Sequence, residues 1–156
     1  MQQLAVTFIC YTYFLLFLYA ASSKLMAYDR FQLQLSKSPI TTDYAHILVW
    51  LVPALEVFIS LLLVLPRNVL PGLYAAFTLM CIFTAYIYAI LNFSDHIPCS
   101  CGGVLEQLGW TEHLIFNLVF LIMAVAGILI QSTIAARTAV RYRDIQGHES
   151  GEAENL

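Results

Sequence analysis

The residues best equipped for chemistry are the six of "PCSCGG", Pro98 to Gly103. Cys99 and Cys101 stand one residue apart, a spacing open to thiol–disulfide exchange, to soft-metal binding, or to a small bridge that merely braces a loop. A disulfide across so short a ring needs a tight local turn. Gly102 and Gly103 supply backbone freedom for it and Pro98 fixes the entry. Bracing alone is a weak reason for such a pair, because closing a very short loop removes little entropy from the unfolded chain. Strained, exposed disulfides exchange readily, which is the behaviour of catalytic bonds. The attacking group must be a thiolate, favoured near positive charge or a helix N-terminus. The following "VLEQLGWTEH" reads as helical, which favours Cys101 as the attacking thiol, with His96 and His113 as candidates for proton handling.

The same residues frame the metal alternative. His96, Cys99, Cys101 and His113 make a two-Cys, two-His set suited to Zn²⁺ or Cu⁺. The Cys-x-Cys spacing is shorter than that of structural zinc sites and the histidines are irregularly spaced, so no metal is assigned.

Two further polar groups sit where lipid should be. Glu56 lies near the centre of an apolar stretch, where an acid costs about 2.5–3.5 kcal/mol on insertion scales and so needs a partner or a proton. Lys24 is the best partner, preceded by Ala20, Ala21, Ser22 and Ser23, all small enough for a neighbouring helix to approach closely. The pair either holds two helices in register or forms a polar floor that binds a ligand or relays protons. In "EQLGWTEHLIFN", Glu106, Trp110, His113 and Asn117 recur at offsets of four, three and four, which sets them on one helix face. That stripe either forms an interfacial belt with an interhelical hydrogen bond or points Trp110, His113 and Asn117 into a site beneath the cysteines. Cys10 and Cys81 lie inside apolar runs and need no function beyond packing.

The elements that must position these groups are membrane helices. Of 156 residues, 60% are hydrophobic and 11% charged, far from the roughly 25% charged of soluble domains. Four apolar runs, Leu4–Met26, Ile47–Leu65, Leu70–Phe93 and Leu114–Ile134, each suffice to cross a hydrocarbon core of about 30 Å. Backbone groups in lipid must bond internally, so the expected fold is an all-α bundle of four transmembrane helices. The first run lacks a basic leader and a cleavage-like site, and is expected to be a true span. Between the first two spans, "YDRFQLQLSKSPITTDY" places Tyr28, Phe31 and Leu35 at helical spacing before Ser38-Pro39. It predicts a short amphipathic outer segment or a loop lid.

Charge sets the expected orientation. Arg67, Arg137, Arg141 and Arg143 fall on one side of the membrane, against Lys24, Arg30 and Lys37 on the other, and the stretch from Ser94 to Thr111 has no basic residue. The positive-inside rule then places both termini in the cytoplasm and the Cys-x-Cys loop in the periplasm, where disulfides persist. Residues 1–136 form the membrane domain and 137–156 a cytoplasmic tail whose polar "QGHESGEAENL" is expected to be disordered. The closing Glu-Asn-Leu matches the start of a common protease-tag sequence, so no function is assigned to it. A net charge of −3 and the lack of a basic run give no reason to expect nucleic acid as a partner.

Taken in order, Ser22-Ser23-Lys24, Phe31, Pro53 with Glu56, and "PCSCGG" before the fourth span resemble the MauE branch of the DoxX-like membrane proteins, over about residues 10–130. The resemblance implies a redox-associated inner-membrane protein linked to periplasmic disulfide chemistry and, for MauE itself, to methylamine dehydrogenase maturation. It implies Cys99 and Cys101 as functional positions and Lys24 and Glu56 as bundle residues. Gly102 stands where related loops often carry Phe, and the trailing Trp110, His113 and Asn117 mark a distinct pattern. The bundle more distantly resembles quinone-linked disulfide reductases of the vitamin K epoxide reductase type, which suggests a membrane quinone near Trp110, His113 and Asn117. The second cysteine pair of those enzymes is missing, so electrons would pass to a separate thioredoxin-like partner. The different-class alternative is a non-catalytic subunit that assembles with or anchors a larger envelope complex.

Overall fold

A computed structural model describes residues 2–37, 41–93 and 109–153. The described chain is helical, without strands, in the order α1 (Gln2–Met26), α2 (Tyr28–Lys37), α3 (Ala45–Val64), α4 (Val69–Phe93) and α5 (Trp110–Ala153). Single 3₁₀ turns at Thr42–Tyr44 and Pro66–Asn68 lead into α3 and α4.

Four of these helices are long and apolar enough to cross a membrane: α1, α3 with its preceding turn, α4, and α5 from Thr111 to Arg143. Their exposed surface is the apolar one, with Leu4, Phe8, Trp50, Phe58, Ile122 and Leu129 all turned outward. Polar side chains are drawn inward or bonded to their own helix. Glu56, Ser60 and Asn117 are buried, while Thr12, Ser22, Thr78, Thr84 and Thr133 donate to carbonyls one turn back. This inverted pattern is what a hydrocarbon solvent selects, and the chain is an integral membrane protein in contact with lipid.

The helices form a ring in which α1 packs on α3 and α5, and α4 packs on α3 and α5, leaving α1 and α4 nearly diagonal. The core that joins them contains Ile9, Tyr13, Phe17, Leu63, Leu73 and Ala124. Tyr13 is fully buried, and its hydroxyl donates to the Phe120 carbonyl of α5 while its ring meets Phe120 edge to face at 5.4 Å. A buried phenol needs such a partner, and sequence reading did not anticipate this one.

Local chemistry ends the elements. Pro66 disfavours helical backbone at the residue before it, and Leu65 is extended (φ −80°, ψ 114°), so α3 stops there. The tight turn returns the chain antiparallel, and Gly72 in the first turns of α4 lies against the backbone of α3. The amphipathic segment expected after the first span is α2, whose Phe31 and Leu35 bury against Ala45 and Val49 of α3. Thr41 and Thr42 hydroxyls accept the role of cap, donating to the Leu35 and Ser36 carbonyls at 2.8 and 3.1 Å. Ser38 and Pro39, the predicted stop, lie outside the described residues.

The C-terminal tail differs from expectation. Its composition predicts disorder, yet α5 continues to Ala153. Extending an existing helix needs no new nucleus, and Ala, Arg, Gln and Glu favour propagation even with nothing to bury. At about 1.5 Å per residue, α5 is far longer than the roughly 30 Å hydrocarbon core, so it runs on beyond the membrane.

The two core glycines should respond differently to a methyl group. A Cβ at Gly72 would lie 3.2 Å from the Leu62 carbonyl carbon and the Leu63 nitrogen, both backbone. At Gly127 the nearest atoms are side-chain methyls of Ile9 and Leu73 at 3.3 Å, which can move. Gly72→Ala is expected to destabilise by about 1–3 kcal/mol, whereas in Gly127→Ala the gain in helix propensity offsets the crowding. Unfolding of each variant in detergent measures the difference.

Candidate functional site

Four of the sequence-predicted polar residues, Lys24, Glu56, His113 and Asn117, converge in one half of the bundle. Lys24 stands in the last turn of α1 and Glu56 in the middle of α3, and antiparallel packing brings Lys24 Nζ to 2.7 Å from Glu56 Oε1. The lysine also reaches the Ala20 carbonyl at 3.5 Å. Its ammonium lies 5.9 Å from the Phe31 ring centroid of α2 and 5.7 Å from that of Phe83 on α4. Desolvated aromatic faces stabilise a cation, so three helices besides its own contribute to holding this charge. The glutamate is fully buried and the lysine side chain 12% exposed.

Beside the pair lies a cavity of about 70 Å³. Its polar wall includes Lys24, Glu56, His113 and Asn117, and its apolar wall includes Phe17, Met80, Phe83, Ile87 and Phe116. His113 and Asn117 are four residues apart in the first turns of α5, so one helix face presents both. Asn117 is 2% exposed. The ion pair and the α5 stripe, two separate features of the sequence, are thus parts of one site. The apolar wall and the two aromatic contacts to Lys24 were missed by sequence reading, because an apolar residue in an apolar span carries no signal of which face meets a lysine.

The cysteines divide. Cys10 is buried in the core and Cys81 is half-buried, both as free thiols. His96, Cys99, Cys101 and Glu106 lie outside the described residues, as does the side chain of Trp110. The metal set of His96, Cys99, Cys101 and His113 therefore has only His113 within the description. Among the described residues, no three His, Cys, Asp or Glu side chains gather to hold an ion.

Size bears on the suggested quinone. An apolar cavity of about 150 Å³ accepts benzene, and drug-sized ligands take about 300–1,000 Å³. The cavity of about 70 Å³ among the described residues is smaller than either.

Glu56 cannot be left alone in this setting. Removing one member of a buried pair costs about 3–5 kcal/mol, whereas replacing both with apolar residues is often neutral. Lys24→Met is expected to destabilise by about that amount, and Lys24→Met combined with Glu56→Leu to recover most of it. A double-mutant cycle on detergent unfolding checks the coupling.

Against known proteins, the family model described as "Methylamine utilisation protein MauE" matches residues 2–130. No curated protein and no solved structure matches the chain. The match covers most of the sequence, so the chain belongs to the MauE family.

Proposed function

We propose that this MauE-family chain is an inner-membrane thiol–disulfide redox protein that exchanges electrons through Cys99 and Cys101 with a periplasmic thioredoxin-like partner. One thiolate attacks the partner's disulfide, forming a mixed disulfide and releasing one partner thiolate, which takes up a proton. The second cysteine, as thiolate, then displaces the remaining partner sulfur. This leaves a Cys99–Cys101 disulfide and a partner dithiol, with two electrons moved to the partner. The reverse sequence runs when the potentials are reversed.

The observation that supports this reading is the position of the buried polar site near the end of α4 and the start of α5. The cavity is lined by the late part of α1, the late part of α4 and the first turns of α5. Cys99 and Cys101 belong to the connection between the end of α4 at Phe93 and the start of α5 at Trp110. The membrane-buried polar groups therefore lie at the end of the bundle where α4 ends and α5 begins, the two helices that the Cys-x-Cys segment joins in sequence. Neither Cys10 nor Cys81 belongs to that connection, which is why the electron partner is a separate protein.

Charge supports the orientation in this proposal. Because Lys24 is bound to Glu56 inside the bundle, Arg30 and Lys37 are the basic residues left to the outer side against Arg67, Arg137, Arg141 and Arg143. The proposal places the arginine-rich end and the polar tail from residue 137 in the cytoplasm.

Acid-quenched cells expressing Cys99→Ser or Cys101→Ser, alkylated and run without reductant, test the proposal. One of the two variants should accumulate a mixed disulfide with an envelope thioredoxin-fold protein, and the wild-type pair should shift between dithiol and disulfide with growth conditions. No adduct in either variant, with the wild-type cysteines in one redox state throughout, overturns it. Recovery of the same larger envelope complex from wild type and both variants would then favour the assembly subunit.

A further inference from the structure

The ion pair satisfies only one oxygen of Glu56. Its Oε2 is buried with no protein hydrogen-bond partner, and the Asn117 Nδ2 is buried without one as well. Both residues line the cavity of about 70 Å³ beside Lys24. One orphan is an acceptor and the other a donor. A buried polar group left unpaired costs about 1–3 kcal/mol, more when charged, so two such groups around one space point to an occupant that donates and accepts together.

We propose that ordered water fills this cavity and bridges the two, donating to Glu56 Oε2 and accepting from Asn117 Nδ2, as an intramembrane hydration site walled by α1, α3, α4 and α5. Water suits the space on three counts. A single molecule needs about 10–15 Å³ on this scale, so there is room for a few. Buried water takes two to four polar partners, and the cavity offers the remaining Lys24 donor and the His113 imidazole besides the two orphans. A lipid acyl chain has neither donor nor acceptor and would leave both groups bare. Asn117 is then a positioning residue that supports Glu56 through water. This inference does not depend on the chemistry of Cys99 and Cys101.

Hydroxyl-radical labelling of the full chain in lipid nanodiscs tests it, because radiolysis of bound water labels the side chains beside it even where bulk solvent is excluded. Met80 is 2% exposed and lines the cavity, as does Phe116, whereas Tyr13 is 0% exposed and lies outside it. Met80 and Phe116 should label several-fold more than Tyr13, and a brief pulse of H₂¹⁸O should leave their label largely ¹⁶O. Asn117→Leu should lower Met80 labelling several-fold. Ala20→Leu, which fills the cavity from α1 and leaves both polar groups in place, should do the same if the asparagine variant fails to fold. Labelling of Met80 and Phe116 no higher than that of Tyr13 in the folded wild type overturns the proposal. So does recovery of a bound organic molecule by mass spectrometry together with such absence of label.

Discussion

The contact between Lys24 and Glu56 governs this bundle. Neither charge tolerates hydrocarbon alone, and their meeting at 2.7 Å requires α1 and α3 to lie side by side in one register. Apolar packing between membrane helices is weakly specific, since lipid tails compete with equal affinity for the same surfaces. A single paired charge excludes the slipped arrangements that greasy surfaces would allow. It also recruits its surroundings, for α2 brings Phe31 and α4 brings Phe83 to the ammonium.

That pair divides the molecule into unlike halves. Toward the end holding the connection between α3 and α4, the core is apolar, with Tyr13, Leu73, Ala76 and Ala124 buried and Gly72 and Gly127 admitting near backbone and side-chain contact. Toward the other end, the charged pair, Asn117 and His113 hold a cavity open among aromatic and aliphatic walls. The apolar half holds the helices together, and the polar half supplies groups whose hydrogen bonds the described residues do not complete. The end of α4 at Phe93 and the start of α5 at Trp110 belong to this second half.

Much of this was legible in the residue order. Four apolar runs correspond to four helices long and apolar enough to cross a membrane, because length and hydropathy are local properties and the bilayer imposes one solution on them; the fourth continues to Arg143, nine residues past the expected end at Ile134. The amphipathic α2 was visible in the spacing of Tyr28, Phe31 and Leu35. Lys24 and Glu56 could be matched because so few charges enter the spans that each has few candidates. The end of α5 was misjudged, since polar composition speaks to burial and not to whether a helix already formed will continue. The Tyr13 hydroxyl bond to Phe120 spans 107 residues of sequence, and no periodicity within α1 encodes it.

The sequence by itself determined the helical membrane architecture, the presence of buried charge and the Cys-x-Cys pair, for each depends on residue type and near neighbours. Only the tertiary structure decided that the Lys24–Glu56 pair and the His113 and Asn117 face are one site, with an acceptor and a donor left over beside a small cavity. Helical spacing sets which residues share a face of one helix. Which faces of four helices meet, and which atoms remain unpaired after they do, is a property of their packing.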